Sequence, residues 1–322
     1  MKVIRFHEIG PPEVLRIEEA ERPEPSSGEV LVKIEFCGVN FADVLTRRGD
    51  PVFCPTLPAT PGFEAAGVIA AVGDEVREHD VGERVALMGS QLYAEYAVAT
   101  CDQLLPLPDD VSTKTGAAFP TQALTAYHLL HTAHNLQSGQ TVLVHAAAGG
   151  LGLLAVQMAK LAGARVFGTV STQEKAIRVR ELGADAVINY REDDFVAVVQ
   201  ELTDGCGVDL VLDSVGRDTF LKSIAALGPY GNVVTFGRAS GELDSFDPDL
   251  LVRNAQRVTG FTLRFVREDV SLLRKSAGTI YDWLRTKRLR LTIDSDFPLA
   301  DASKAHAHLE GRGSIGKILL RT

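Results

Sequence analysis

Residues 142–175 read VLVHAAAGGLGLLAVQMAKLAGARVFGTVSTQEK. An apolar run meets closely spaced glycines, a helix-length apolar segment follows, and a second apolar run ends at Ser171. This stretch constrains the fold more than any other, because it opens a series. The pattern predicts a strand over 142–145, a helix over 152–161, a strand in ARVFGTV and a helix in STQEKAIRVRELG, with Ser171 or Thr172 placed to cap it. Strand AVINY, helix DDFVAVVQELT, strand VDLVLDSVG, helix DTFLKSIAALG and strands GNVVTFG and VTGFTLRF continue it. Strands alternating with helices of about ten residues require a parallel sheet covered on both faces. Six such strands define an α/β, doubly wound nucleotide-binding domain.

The glycines carry chemistry. Gly150-x-Gly152-x-x-Ala155 fits the dinucleotide fingerprint. A turn out of a strand needs a residue without Cβ, the backbone must come close to a diphosphate, and a small residue lets helix and strand pack. Gly149, Gly150, Leu151 and Gly152 therefore form the expected diphosphate elbow, at a helix N-terminus that favours anions. An NAD site places Asp or Glu about 20 residues on, for the ribose hydroxyl. Here the second strand ends at Val170, Ser171 follows, and Lys175 lies within the next helical turn. Hydroxyls and a cation suit a 2′-phosphate, so NADPH is the expected cofactor. Tyr190, closing the third strand, is placed for the adenine side.

Residues 1–118 read differently, as short β-branched runs such as EVLVKIEFCGV, GVIAAVG and ERVALMG between Gly, Pro and Asp. A long helix is expected over KTGAAFPTQALTAYHLLHTAH. The expected division is a first domain over 1–118, the nucleotide-binding domain over 119–260, and a return segment over 261–322, with LRLTI, a helix in ADASKAHAHLEG and a last strand KILLR, that completes the first domain. The net charge of −9 argues against nucleic acid or an anionic membrane as partner. The N-terminus is polar and no run has the length of a membrane span, so the cytoplasm is the expected location. Four cysteines, none spaced CxxC, exclude a structural zinc lobe.

Other motifs fall short. Gly311-x-x-x-x-Gly316-Lys317 lacks the Ser/Thr of a phosphate loop and precedes a strand. No Tyr-x-x-x-Lys and no G-x-S-x-G occurs. His128, His131 and His134 read as helix surface and interface residues, His145 as a buried hydrogen-bonded side chain, and Glu64 as a structural acid.

The run GQTVLVHAAAGGLGLLAVQMAK, with INYRE, DSVGRDT and GSIGKILL, resembles the quinone oxidoreductase, or zeta-crystallin-like, branch of the medium-chain dehydrogenases/reductases. The resemblance covers the whole chain in the order GroES-like domain, Rossmann domain, return segment. It implies that CGVNFAD and PGFEAAG match the zinc-ligand stretches of the alcohol dehydrogenases, with Asn40 in place of a cysteine, Phe63 in place of a histidine and Thr121 at the third position. Those side chains do not ligate Zn²⁺, so no metal is expected. It further implies that Phe236, Gly237, Arg238 and Lys317 border the cofactor, that Asn40 touches cofactor and substrate and is the candidate catalytic residue, and that Thr121 and Gln122 line the substrate pocket. Relatives carry an aromatic soon after an R-x-G step; RRGDPVF offers Phe53 for it.

The expected activity is direct hydride transfer from NADPH to a quinone or related conjugated carbonyl. A 2-enoyl thioester or enone reductase on the same fold is the alternative enzyme. A structural or regulatory NADPH-binding protein with little turnover is the alternative from another class. The resemblance also implies a homodimer, through edge pairing of VRNAQRVTGFTLRF.

Overall fold

The computed structural model describes residues 1–243 and 245–322. It divides into two compact units. One comprises Met1–Leu124, Phe265–Lys287 and Leu291–Thr322, the other Thr125–Arg264 and Arg288–Arg290.

The first unit opens with β1 (Lys2–Arg5) and β2 (Arg16–Glu19), an antiparallel pair. β3 (Glu29–Val39) is the long spine, rich in β-branched residues and mostly buried. It runs into α1 (Phe41–Arg48), whose first turn holds Asp43 and whose last turn holds Arg47 and Arg48. Gly49 ends α1 in the left-handed region, at φ 71°, where a side chain would be strained. β4 (Glu64–Val72), β5 (Arg84–Met88), β6 (Tyr96–Thr100) and β7 (Leu104–Pro106) follow. Two helices, α2 (Thr113–Ala118) and α3 (Pro120–His128), then replace the single long helix expected over 114–134. Pro120 has no N–H to continue α2, but its fixed φ suits the first position of α3. Beyond α3 the chain widens into a π-helical turn over Leu129–His134.

The second unit is the expected parallel sheet. Its elements are β8 (Thr141–Val144), α4 (Gly150–Leu161), β9 (Arg165–Val170), α5 (Gln173–Glu181), β10 (Ala186–Asn189), α6 (Phe195–Leu202), β11 (Val208–Asp213), α7 (Phe220–Ala225), β12 (Leu227–Thr235), α8 (Asp249–Val252) and β13 (Arg257–Gly260). Pro229 keeps α7 from running on through Leu227, which already belongs to β12. The strand order β10-β9-β8-β11-β12-β13, all parallel, reverses direction between β8 and β11. A crevice outside the carboxyl ends of the strands at that reversal is where such sheets bind ligands. Leu143, Phe167, Val211, Phe220 and Val233 pack the core beneath it.

The chain returns through α9 (Arg264–Glu268), α10 (Val270–Arg285), β14 (Ile293–Pro298), α11 (Ala302–Glu310) and β15 (Lys317–Arg321). β14 starts where LRLTI ends, because its register is set by parallel pairing with β15 from Ile293–Lys317 onward. β15 in turn pairs antiparallel with β3, giving a seven-stranded sheet of order β14-β15-β3-β4-β5-β7, with β6 also on β3. Residues near position 320 thus complete a core built around positions 30–105, with Val32, Ile34, Leu87 and Leu320 all buried in it.

Candidate active site and dinucleotide cradle

In the second unit, β8 ends at Val144 and the chain turns over Ala146, which takes φ 49°. Ala147 N–H donates to Thr169 O at 3.0 Å, tying this turn to the end of β9. Gly149 caps α4 with extended backbone and no side chain. A Cβ on Gly152 would lie 2.4 Å from Ala146 O and 2.7 Å from Ala147 Cα. Position 152 is therefore glycine because the helix rests directly on the turn's backbone. Ala155, one turn further along the helix, is fully buried. The leading N–H groups of α4, on Gly150, Leu151 and Gly152, have no intrahelical acceptor. They form the donor set that a diphosphate requires.

At the end of β9, Thr172 rather than Ser171 caps α5, accepting from Lys175 N–H at 3.3 Å. Ser171 is buried and Lys175 partly so. Glu174 is exposed on the first turn of α5, and no carboxylate occupies position 171. Tyr190 follows β10, bonds Val170 O through its N–H at 3.0 Å and leaves 41% of its surface exposed. Phe236, Gly237 and Arg238 follow β12, all partly exposed. Phe236 N–H reaches Asp213 O at 3.1 Å, and a Cβ on Gly237 would come within 2.7 Å of Ser214 O. The sequence-expected residues of this unit thus share one edge of one parallel sheet.

The first unit gathers a second group, where β3, β4 and β15 meet. Glu64 opens β4 and Lys317 opens β15, and both side chains are almost wholly buried. Lys317 Nζ donates to Glu64 Oε1 at 2.5 Å, to Asn40 Oδ1 at 2.8 Å and to Val39 O at 3.0 Å. Asn40 Nδ2 donates to the same Glu64 Oε1 at 2.7 Å. The other carboxylate oxygen accepts Thr121 N–H, at the start of α3, at 2.7 Å. Gly38 leaves room for this carboxylate, since a Cβ there would lie 2.5 Å from Glu64 Oε1. An ammonium can only donate and a carboxylate can only accept, so the Asn40 amide has one permitted orientation.

Lys317, which the resemblance sets beside the cofactor, directs all three of its donors into this cluster. Gln122 Nε2 reaches Asn40 Oδ1 at 3.3 Å, while Gln122 Oε1 and Thr121 Oγ1 are buried without a hydrogen-bond partner among the described residues. Orphaned buried polar atoms beside an oriented amide are what a binding site for an oxygen-bearing ligand offers. Phe53 lies edge-on to Phe63 at 6.2 Å, so the two aromatics singled out in the sequence form one contact.

Sequence reasoning missed Asp43. Its carboxylate accepts Asn40 N–H at 2.8 Å and Gly62 N–H at 2.9 Å, fixing the backbone at Asn40. The spacing N-x-x-D at a helix start was the available signal. Burial pushes its carboxyl up to about 7, against the pull of its backbone donors and Lys317. Behind it, Tyr93 Oη meets His306 Nε2 at 3.3 Å, both side chains being buried.

The histidines are revised. His128, the last residue of α3, is fully buried, and His131 and His134 in the π turn are partly buried. Burial, with His131 next to it, lowers His128 to about 4. Among the described residues no three His, Cys, Asp or Glu side chains are grouped to hold a metal ion. Asn40 Oδ1 already accepts an ammonium and Phe63 offers only a ring, so these residues do not fit a catalytic zinc. His145 is buried and hydrogen-bonded, as the sequence indicates.

Two family models match the chain, the alcohol dehydrogenase GroES-like domain over residues 26–109 and the zinc-binding dehydrogenase over 150–276. In that order they define a medium-chain dehydrogenase/reductase. The quinone oxidoreductase of Pseudomonas aeruginosa is 37% identical, with 99% of each chain covered. A 2-haloacrylate reductase of Burkholderia is also 37% identical, covering 98% of this chain and 97% of that one. The crystal structure of Escherichia coli quinone oxidoreductase complexed with NADPH superimposes with a TM-score of 0.96 at 34% identity, each chain covered completely. The chain belongs to the quinone oxidoreductase family of that superfamily.

Proposed function

We propose that this protein is an NADPH-dependent reductase that passes a hydride to a quinone or a related conjugated carbonyl. The observation that carries the reading is the Asn40 amide, locked by a buried Lys317–Glu64 pair where a zinc dehydrogenase needs a thiolate. When bound, the reduced nicotinamide supplies the hydride. The chain's own part is to bind and orient. The elbow Gly149–Gly152 receives the diphosphate on helix N–H groups. Ser171, Thr172 and Lys175, without an acid at position 171, receive the adenosine end and its phosphate. Tyr190 lies along the adenine; Phe236, Gly237 and Arg238 border the nicotinamide ribose. In the other unit, the remaining Asn40 amide N–H and the Thr121 hydroxyl supply donors for an acceptor oxygen that gains charge, a role preorganised dipoles fill at low reorganisation cost. Gln122 and Phe53 complete the acceptor's surroundings.

A second reading, reduction of an activated C=C bond, is favoured by the likeness to the Burkholderia enzyme. Steady-state NADPH oxidation with 1,4-benzoquinone, 9,10-phenanthrenequinone, an enone and an enoyl thioester separates them. Quinones are expected to turn over fastest. An enone far ahead of every quinone reverses the order, and tight NADPH binding with no turnover on any acceptor favours the non-enzymatic alternative.

The same proposal includes a homodimer formed edge to edge along β13, the outer strand of the parallel sheet, near which Tyr230 (74%) and Val252 (73%) are exposed. Light scattering at micromolar protein tests it; a monomer mass refutes it. Four free cysteines, two of them exposed, fit a reducing compartment such as the cytoplasm.

A further inference from the structure

Four buried side chains lie in line beneath the dinucleotide cradle. Asp213, the last residue of β11, accepts at Oδ1 from Val215 N–H (2.9 Å), Gly216 N–H (3.0 Å) and Thr219 Oγ1 (2.9 Å). At Oδ2 it accepts from Ser223 Oγ at 2.9 Å, and also from Thr219. Ser223 Oγ lies 3.0 Å from His145 Nε2, and His145 Nδ1 lies 3.0 Å from Thr169 Oγ1. Phe195 closes the imidazole edge-on at 4.8 Å.

The direction of this chain follows from donor arithmetic. A serine hydroxyl has one proton, and a carboxylate has none to give. Ser223 gives its proton to Asp213, so toward His145 it can only accept. His145 must then carry its proton on Nε2. Burial holds the ring neutral, lowering its pKa against the opposing pull of Asp213, so Nδ1 is an acceptor and Thr169 donates to it. The order Asp–Ser–His is also the reverse of a hydrolytic triad, where His takes the serine proton, and the buried Ser223 meets no substrate.

The ends of the chain matter. His145 is the residue before Ala146, where the turn that leads to the elbow begins, and its own N–H holds Leu212 O at 3.1 Å. Thr169 is two residues before Ser171, and its carbonyl accepts Ala147 N–H. One imidazole therefore links the strand that leads to the elbow with the strand that leads to the adenosine end. We propose that His145, as the neutral Nε2–H form, is a positioning residue that sets the spacing between the two halves of the cradle. This deepens, and rests on, the reading of that cradle as the NADPH site.

The test uses the full-length protein labelled with ¹⁵N-histidine. Among eight histidines, the His145 signals are those lost in His145→Phe. The wild type is expected to show an acceptor-type Nδ1 and a protonated Nε2. A proton on Nδ1, or on both nitrogens, overturns the proposal. In parallel, NADPH affinity is read from nicotinamide fluorescence. His145→Phe is expected to weaken it about tenfold, the loss of two buried hydrogen bonds, with kcat at saturating cofactor changed much less. His145→Asn, whose Oδ1 can stand near the Nδ1 position and accept from Thr169, is expected to recover part of the affinity. Should the Phe variant fail to fold, Ser223→Ala removes the acceptor of Nε2–H and is expected to mix the tautomers and weaken NADPH. Unchanged NADPH affinity in the folded variants overturns this proposal alone, whereas a wild type that binds no NADPH overturns the functional reading beneath it.

Discussion

Replacing Lys317 by Met removes the one cation, among the described residues, bonded to the buried Glu64 carboxylate and leaves that carboxylate with two neutral donors, from Asn40 and Thr121. Taking one partner from a buried ion pair costs about 3–5 kcal/mol, most of it the burden of the stranded charge. A stranded carboxylate prefers its protonated form, so the loss should be smaller near about pH 5 than near about pH 8. The second consequence is orientational. Lys317 is the donor that makes the Asn40 amide single-valued, and without it Oδ1 keeps only the longer 3.3 Å contact with Gln122. Turnover with a quinone should fall by about tenfold to a hundredfold if Asn40 stabilises a developing oxyanion. Urea unfolding at the two pH values and kcat at saturating NADPH give both quantities. The double variant Glu64→Gln, Lys317→Met removes both charges of this pair and should recover most of the stability but not the turnover. A single variant as stable and as active as the wild type, or a double variant no more stable than the single, would refute the reasoning.

Other expectations are independent of that pair. Gly152→Ala puts a methyl 2.4 Å from a backbone oxygen; the turn must shift, and NADPH affinity should drop at least about tenfold, with affinity unchanged counting against the elbow. Lys175→Glu should weaken NADPH far more than NADH in parallel titrations, and equal losses would misplace the phosphate end. Asp43 has its folded pKa raised to about 7. Its contribution is therefore most favourable below the ordinary carboxylate range and drains away as pH rises to 7, by about 4 kcal/mol from one pKa unit being 1.36 kcal/mol. Asp43→Asn should flatten that slope in unfolding measurements across this range, and an unaltered slope would contradict it. His128, lowered to about 4, acts oppositely: its stabilisation is complete above about 6.5, its unfolded value, and is lost as pH falls toward 4. His128→Phe should make unfolding less sensitive to acid there.

The parallel sheet was legible because strands buried on both faces write themselves as unbroken apolar runs, and VLV, VFGTV and LVL do so. The elbow was legible because Gly150, Gly152 and Ala155 act within six positions of one another. What the sequence hid was either a local conflict or a long reach. The long helix over 114–134 failed at Pro120, where apolar periodicity on both sides masked a change of helix. Lys317 and Glu64 are 253 positions apart, and the pairing of β3 with both β15 and β4 brings them together. Nothing local in the sequence announces the ion pair that holds Lys317. The full burial of His128 is not legible from the sequence, because it sits at the junction of α3 with a π turn, which has no sequence period of its own.

The central claim is that hydride transfer here relies on an oriented amide with no metal at the site. Single-turnover oxidation of NADPH by 1,4-benzoquinone, run on protein exhaustively treated with a strong chelator, tests it most directly. Undiminished rates in the chelated wild type, with a large loss in Asn40→Ala, are predicted. Loss of activity on chelation and recovery on adding Zn²⁺ would contradict it.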